Sequence, residues 1–109
     1  MGTEEFNYKF IKEHAGPGNW RRGYEYYTKD MVFDNYPEKN FYMGKVKGNF
    51  QDHYNTDLIF KKNKVEARCN CPLKDEWCKH SVAIALKAIE TGAFLLRNHF
   101  HLLYLIERL

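Results

Sequence analysis

The sequence predicts an α+β domain in which N-terminal helices lead into a small antiparallel β-meander, a cysteine-rich knuckle and C-terminal helices. Three observations predict it. Apolar residues recur at helical spacing up to residue 28, alternate with a period of two between Met31 and Cys71, and are followed after the last cysteine by a run of helix formers. At 109 residues the chain is read as one domain spanning 1–109. A content of 44% hydrophobic and 17% aromatic residues supports a folded core rather than disorder. A core of this size gains from a staple, so the three cysteines carry weight.

The elements follow in order. From Glu4 to His14, Phe6, Phe10 and Ile11 sit at helical spacing, and Ala15-Gly16-Pro17-Gly18 then breaks the helix. Asn19 is a candidate N-cap for a second helix, in which Trp20, Tyr24 and Tyr27 form a stripe while Arg21, Arg22 and Glu25 face elsewhere. Such a stripe is read first as core packing, and second as a platform on which bases could stack. Turn signals at Asn35 to Asn40, Gly48 to Asp52 and Lys61 to Asn63 divide the next stretch into strands. Tyr54, Thr56, Leu58 and Phe60 share one face of a strand, and Val65, Ala67, Cys69 and Cys71 one face of the next. After a loop from Pro72 to Trp77, Ser81 to Glu90 reads as a helix with Gly92 as its C-cap. Leu96, Phe100, Leu103 and Ile106 give a further amphipathic helix over about 94–109.

The chemistry concentrates between Cys69 and His80. Cys69, Cys71, Cys78 and His80 read C-x-C, six residues, then C-x-H, which supplies three thiols and one imidazole. Residues i and i+2 on a strand point the same way, so Cys69 and Cys71 can offer both sulfurs from one strand end. Within a helix that spacing would make them diverge, which puts Cys78 in the turn before the helix and His80 in its first turn. Zinc favours a closed tetrahedral set of such donors in structural sites, and the predicted cofactor is therefore Zn2+. An uneven number of cysteines leaves one over in any disulfide scheme, and a catalytic zinc would keep an open position. Nothing marks the orienting group and pocket that a Cys–His nucleophile would need, so the chain is read as non-catalytic.

With Pro72 after the second cysteine, Lys79 before the histidine and Val82-Ala83 opening the helix, this constellation resembles the SWIM zinc finger. Upstream, Trp20, Arg22-Gly23, Tyr26-Tyr27, Val32, Val46-x-Gly48, Tyr54 and Leu58 are similar to the region preceding the finger in prokaryotic SWIM proteins, including those attached to Swi/Snf-type helicases. The resemblance covers about residues 20–92, with a finger core of about 64–92. It implies zinc ligation by Cys69, Cys71, Cys78 and His80, and an association with DNA or with protein partners. There is no G-x-x-x-x-G-K-[ST] loop for nucleotide phosphates, so no motor is encoded here.

Two partner classes remain open. A net charge of +3 and the cations Lys45, Lys47, Lys61, Lys62, Lys64 and Arg68 suggest contact with nucleic-acid phosphates, DNA ahead of RNA. The same cations could simply keep strand edges soluble, and Asp52, Asp57, Glu66, Asp75 and Glu76 dilute their field. The alternative is a protein-docking adaptor that uses the aromatic surface and the apolar C-terminal helix. No stretch resembles a membrane span or a secretory signal, so a cytoplasmic protein without a membrane partner is expected.

Overall fold

Asn7 starts the first helix: its side chain accepts a hydrogen bond from the Phe10 amide at 2.9 Å, satisfying one of the first-turn donors. The computed structural model describes residues 6–61, 64–73 and 75–92. Over these the order is α1 (Tyr8–Thr28), β1 (Val32–Glu38), β2 (Phe41–Lys47), β3 (His53–Phe60), β4 (Val65–Cys69) and α2 (Lys79–Thr91). The architecture is α+β, with one four-stranded antiparallel meander in the order β1-β2-β3-β4. The amphipathic helix expected over 94–109 lies outside the described residues.

The expected break in the N-terminal helical region is confined to one residue. Gly16 takes φ 82° and ψ 164°, and the helix resumes at once with Pro17, whose fixed φ suits a first helical turn. Asn19 is consequently inside the second half rather than capping it, and its side chain donates to Asp75 instead. The bend is sharp. Tyr8 and Trp20 would stand about 18 Å apart along a straight helix axis, yet their ring centroids are 6.3 Å apart.

In the sheet, Tyr54, Thr56, Leu58 and Phe60 all point inward as the alternation requires. The turn expected over Asn35 to Asn40 shrinks to Lys39 and Asn40. β1 continues through Pro37 because it is an edge strand, where a missing amide donor costs no ladder bond. A bulge between Phe33 and Tyr36, with Asp34 at φ 48°, absorbs the extra residue.

The layers are sheet, α2 and α1. Val82, Ala83, Ile84, Ala85, Leu86 and Ala88 of α2 are all fully buried, which marks a helix covered on both sides. On one side Ile84 lies against Gly44 of β2, and on the other Val82 lies against Gly23 of α1; a Cβ at either glycine would collide with the facing side chain. The first half of α1 packs elsewhere: Phe10 meets Trp77 edge-on at 5.7 Å, and Phe6 meets Phe60 at 5.4 Å. The N-terminus of α2 is thereby held between the sheet, the bent helix and the loop before it.

Candidate metal centre

Cys69 closes β4, Cys71 lies just beyond it, Cys78 caps α2 and His80 lies in its first turn. The two expected pairs, one from a strand end and one from a helix start, thus meet. Asn70 prolongs the β3–β4 pairing past the last strand residue, its amide donating to the Asn55 carbonyl and its side-chain oxygen accepting from the Asn55 amide. Glu76 reaches back from the intervening loop to accept the Ala67 amide at 3.2 Å. Ser81 donates to the Glu76 carbonyl at 3.0 Å, so the loop is tied at both ends.

The three sulfurs and one imidazole nitrogen all lie within 4.8 Å of one another. Cys71 and Cys78 sulfurs are 3.8 Å apart, and Nδ1 of His80 is 3.7 Å from Cys69 Sγ and 3.8 Å from Cys78 Sγ. A tetrahedron with arms of about 2.3 Å has edges of about 3.8 Å, so these three separations already match a zinc-sized site. Four residues of metal-ligating type therefore converge in a geometry that could hold a metal ion. The thiols share negative charge unevenly. Hydrogen bonding with the Cys69 thiol, with His80 and Ser81 assisting, draws the Cys78 thiol down from its ordinary range. The same bond, with burial, pushes Cys69 up, and burial pushes Cys71 up. Three thiolates at this separation would repel one another, and a divalent ion held among them would balance their charge.

Several neighbours escaped the sequence reading. Thr56 donates to Cys69 Sγ at 3.3 Å, and the Ser81 hydroxyl lies 3.5 Å from Cys78 Sγ. The His80 ring is packed by Tyr54 at 4.8 Å and Tyr26 at 5.5 Å, while its buried Nε2 has no hydrogen-bond partner among the described residues. Ring packing on one side and the sulfur contacts of Nδ1 on the other therefore orient the imidazole. The alternation of β3 placed Thr56 and Tyr54 on the inner face, but their contact with the donors depends on the β3–β4 register, which no local pattern states.

No family model, curated protein or solved structure matches the chain.

The cations singled out from the sequence are dispersed. Lys45 and Lys47 lie near the β2–β3 turn, whereas Lys61 and Lys64 flank the β3–β4 turn, separated from them by the length of β3, roughly 23 Å. Lys45 pairs with Asp34 at 3.5 Å, Lys61 and Lys64 with Glu66 at 2.6 and 3.5 Å, and Arg68 with Asp57 at 3.8 Å. Lys47 is exposed and makes no ion pair among the described residues; Lys62 lies outside them. No helix among the described residues is long and apolar enough to cross a membrane.

Proposed function

We propose that this chain is a SWIM-type zinc-binding module, non-catalytic, whose work is to present a rigid surface to nucleic acid, DNA ahead of RNA. The observation that carries the reading is the convergence of Cys69, Cys71, Cys78 and His80 within 4.8 Å. These four residues would hold a zinc ion, which when bound supplies a crosslink and charge neutralisation. All four positions are then protein donors, so water has no place from which to be activated as a nucleophile. Thr56 and Ser81 orient two of the sulfurs, Tyr54 and Tyr26 the imidazole, and the clamp fixes the N-terminus of α2 to the end of β4. The mildly basic charge of +3 supports a polyanionic partner.

Elemental analysis of reduced, purified protein is expected to give one zinc per chain. Anisotropy titrations with labelled DNA and RNA should show binding that weakens steeply with salt; absence of binding at low ionic strength would overturn the nucleic-acid part of the reading. One observation favours a second partner class: Phe50, at the tip of the β2–β3 loop, is 89% exposed, and Leu73 beside the donors is 45% exposed. A protein adaptor would use such residues, and replacing Phe50 by Ser would then abolish capture of the partner while leaving nucleic-acid titrations unchanged.

A further inference from the structure

Bending α1 at Gly16 brings rings from its two halves together. Tyr8 from the first half lies 6.3 Å from Trp20 in the second; Trp20 lies 5.8 Å from Tyr24, and Tyr24 lies 6.4 Å from Tyr27. The result is a continuous row of four rings assembled across a kink. The row is not sealed: Tyr8 is 51% and Tyr24 48% exposed, while Trp20 and Tyr27 are half-buried against the core and anchor it. Tyr27 is further fixed by donating its hydroxyl to Glu90 at 2.6 Å.

Cations accompany the rings. The ammonium of Lys12 lies over the Trp20 ring, 5.0 Å from its centroid. Lys9, Lys12 and Arg21 are exposed and make no ion pair among the described residues, and Arg22 contacts only the neutral side chain of Asn19. Of the two carboxylates on α1, Glu25 is paired with Lys29 at 2.9 Å and also feels the Arg21 charge, while Glu13 is exposed and makes no ion pair among the described residues. The contrast with the sheet is direct, since Lys45, Lys61, Lys64 and Arg68 there each face a carboxylate. The Lys12 charge beside exposed aromatic faces suits a polyanion carrying flat groups. Those groups must be unpaired to reach a ring, because in a duplex both faces of each base are already stacked.

We infer that the outer side of bent α1 is a stacking site for single-stranded nucleic acid, with Tyr8, Trp20 and Tyr24 as the platform and Lys12 as a phosphate contact. This rests on the nucleic-acid reading above and moves its contact surface from the sheet to α1. Lys12 rests on the Trp20 face until a base takes that place, and its ammonium is then free to meet a phosphate.

The test uses the full zinc-loaded chain and a labelled oligothymidylate of about a dozen nucleotides, with a duplex of matched length beside it. In a Trp77→Phe background Trp20 is the sole tryptophan, and its fluorescence should be quenched on adding the single strand. Tyr8→Ala and Tyr24→Ala should each weaken binding about tenfold or more. Both side chains are exposed, so the melting temperature and zinc content of these variants should match the parent. Lys12→Ala should lower the salt slope by about one. Tighter binding to the duplex, or binding lost in Lys47→Glu but indifferent to Tyr8 and Tyr24, would overturn the stacking site and leave the nucleic-acid reading standing. No binding to either form at low salt would overturn both.

Discussion

The two helices answer different demands with different compositions. α2 is short and straight, and its buried residues are mostly Val, Ala, Ile and Leu, so nearly all it contributes is packing between sheet and α1. α1 is longer and bent, buries fully only Phe10, Ile11 and Gly23, and displays rings and cations on its outer side. The polar residues of α2 other than the buried His80 and Ser81, namely Lys79, Lys87, Glu90 and Thr91, gather toward its two ends and leave its middle apolar. Packing holds α2 on both sides, and its first turn brings Cys78 and His80 to face Cys69 and Cys71. A metal held by these four donors would tie the start of α2 to the end of β4.

Removing the zinc proposed for these four donors should break this arrangement most severely. Apparent zinc binding in small fingers amounts to about 10 to 16 kcal/mol, against about 5 to 15 kcal/mol for the whole stability of a domain. Chelation, Cys78→Ser or His80→Ala is expected to abolish cooperative thermal unfolding followed by far-ultraviolet dichroism. A chelated protein that melted at the same temperature as the zinc-loaded one would show that packing alone positions α2.

The contact between the helices gives the next largest effect. A methyl group at Gly23 would strike the Val82 side chain and come within 2.8 Å of the Lys79 carbonyl oxygen, one residue from His80. Overpacking of this kind costs about 1 to 3 kcal/mol, so Gly23→Ala should lower the urea midpoint. Because the displaced turn carries two donors, the same variant should also release zinc to a weak chelator faster than the parent. A reduced midpoint with unchanged zinc release would mean that the clamp and the helix contact are independent.

The donor set was legible in the sequence because all four residues fall within twelve positions and their chemistry is local. So was the inward face of β3, since Tyr54, Thr56, Leu58 and Phe60 obey strict alternation. The confinement of the α1 bend to Gly16 was not, because Ala15-Gly16-Pro17-Gly18 reads as a loop and only the backbone shows that a single residue leaves the helix. Asp34 was equally hidden: a left-handed residue inside an edge strand lets β1 run on to Glu38 through an apparent turn signal. The neutralisation of Arg68 by Asp57 depends on those two residues being cross-strand partners, which is a matter of register rather than composition. The aromatic stripe of α1 was read as core; Trp20 and Tyr27 do pack against it, but Tyr24 faces outward.

The bend itself can be tested by Gly16→Ala. Nothing lies within 4 Å of the added methyl, so the penalty is purely that of the backbone, at φ 82° and ψ 164°. That region is open essentially to glycine alone and costs about 1 to 3 kcal/mol for other residues. The variant should be destabilised by that order and should pull Tyr8 and Lys12 away from Trp20, seen as a shift in Trp20 emission in the Trp77→Phe background. Destabilisation without a spectral change would mean that the two halves of α1 hold together without the bend.

The smallest expected effect lies where the far ends of the helices meet, at the Tyr27–Glu90 hydrogen bond. By donating to the Glu90 carboxylate, the Tyr27 hydroxyl is pushed up from its ordinary 10.0 to about 12. The folded state therefore holds this proton more tightly than the unfolded chain does. The bond's contribution is fully present below pH 10, where both states are protonated, and is lost as pH rises from about 10 to about 12. Because the pair is exposed, the contribution should be about 0.5 kcal/mol or less. Tyr27→Phe should then cost little at neutral pH and flatten the decline in stability over the alkaline window, measured by urea denaturation at stepped pH. A parent protein and variant that lost stability in parallel across that window would place the alkaline sensitivity elsewhere, with Tyr42, whose hydroxyl burial also pushes up, as the next candidate.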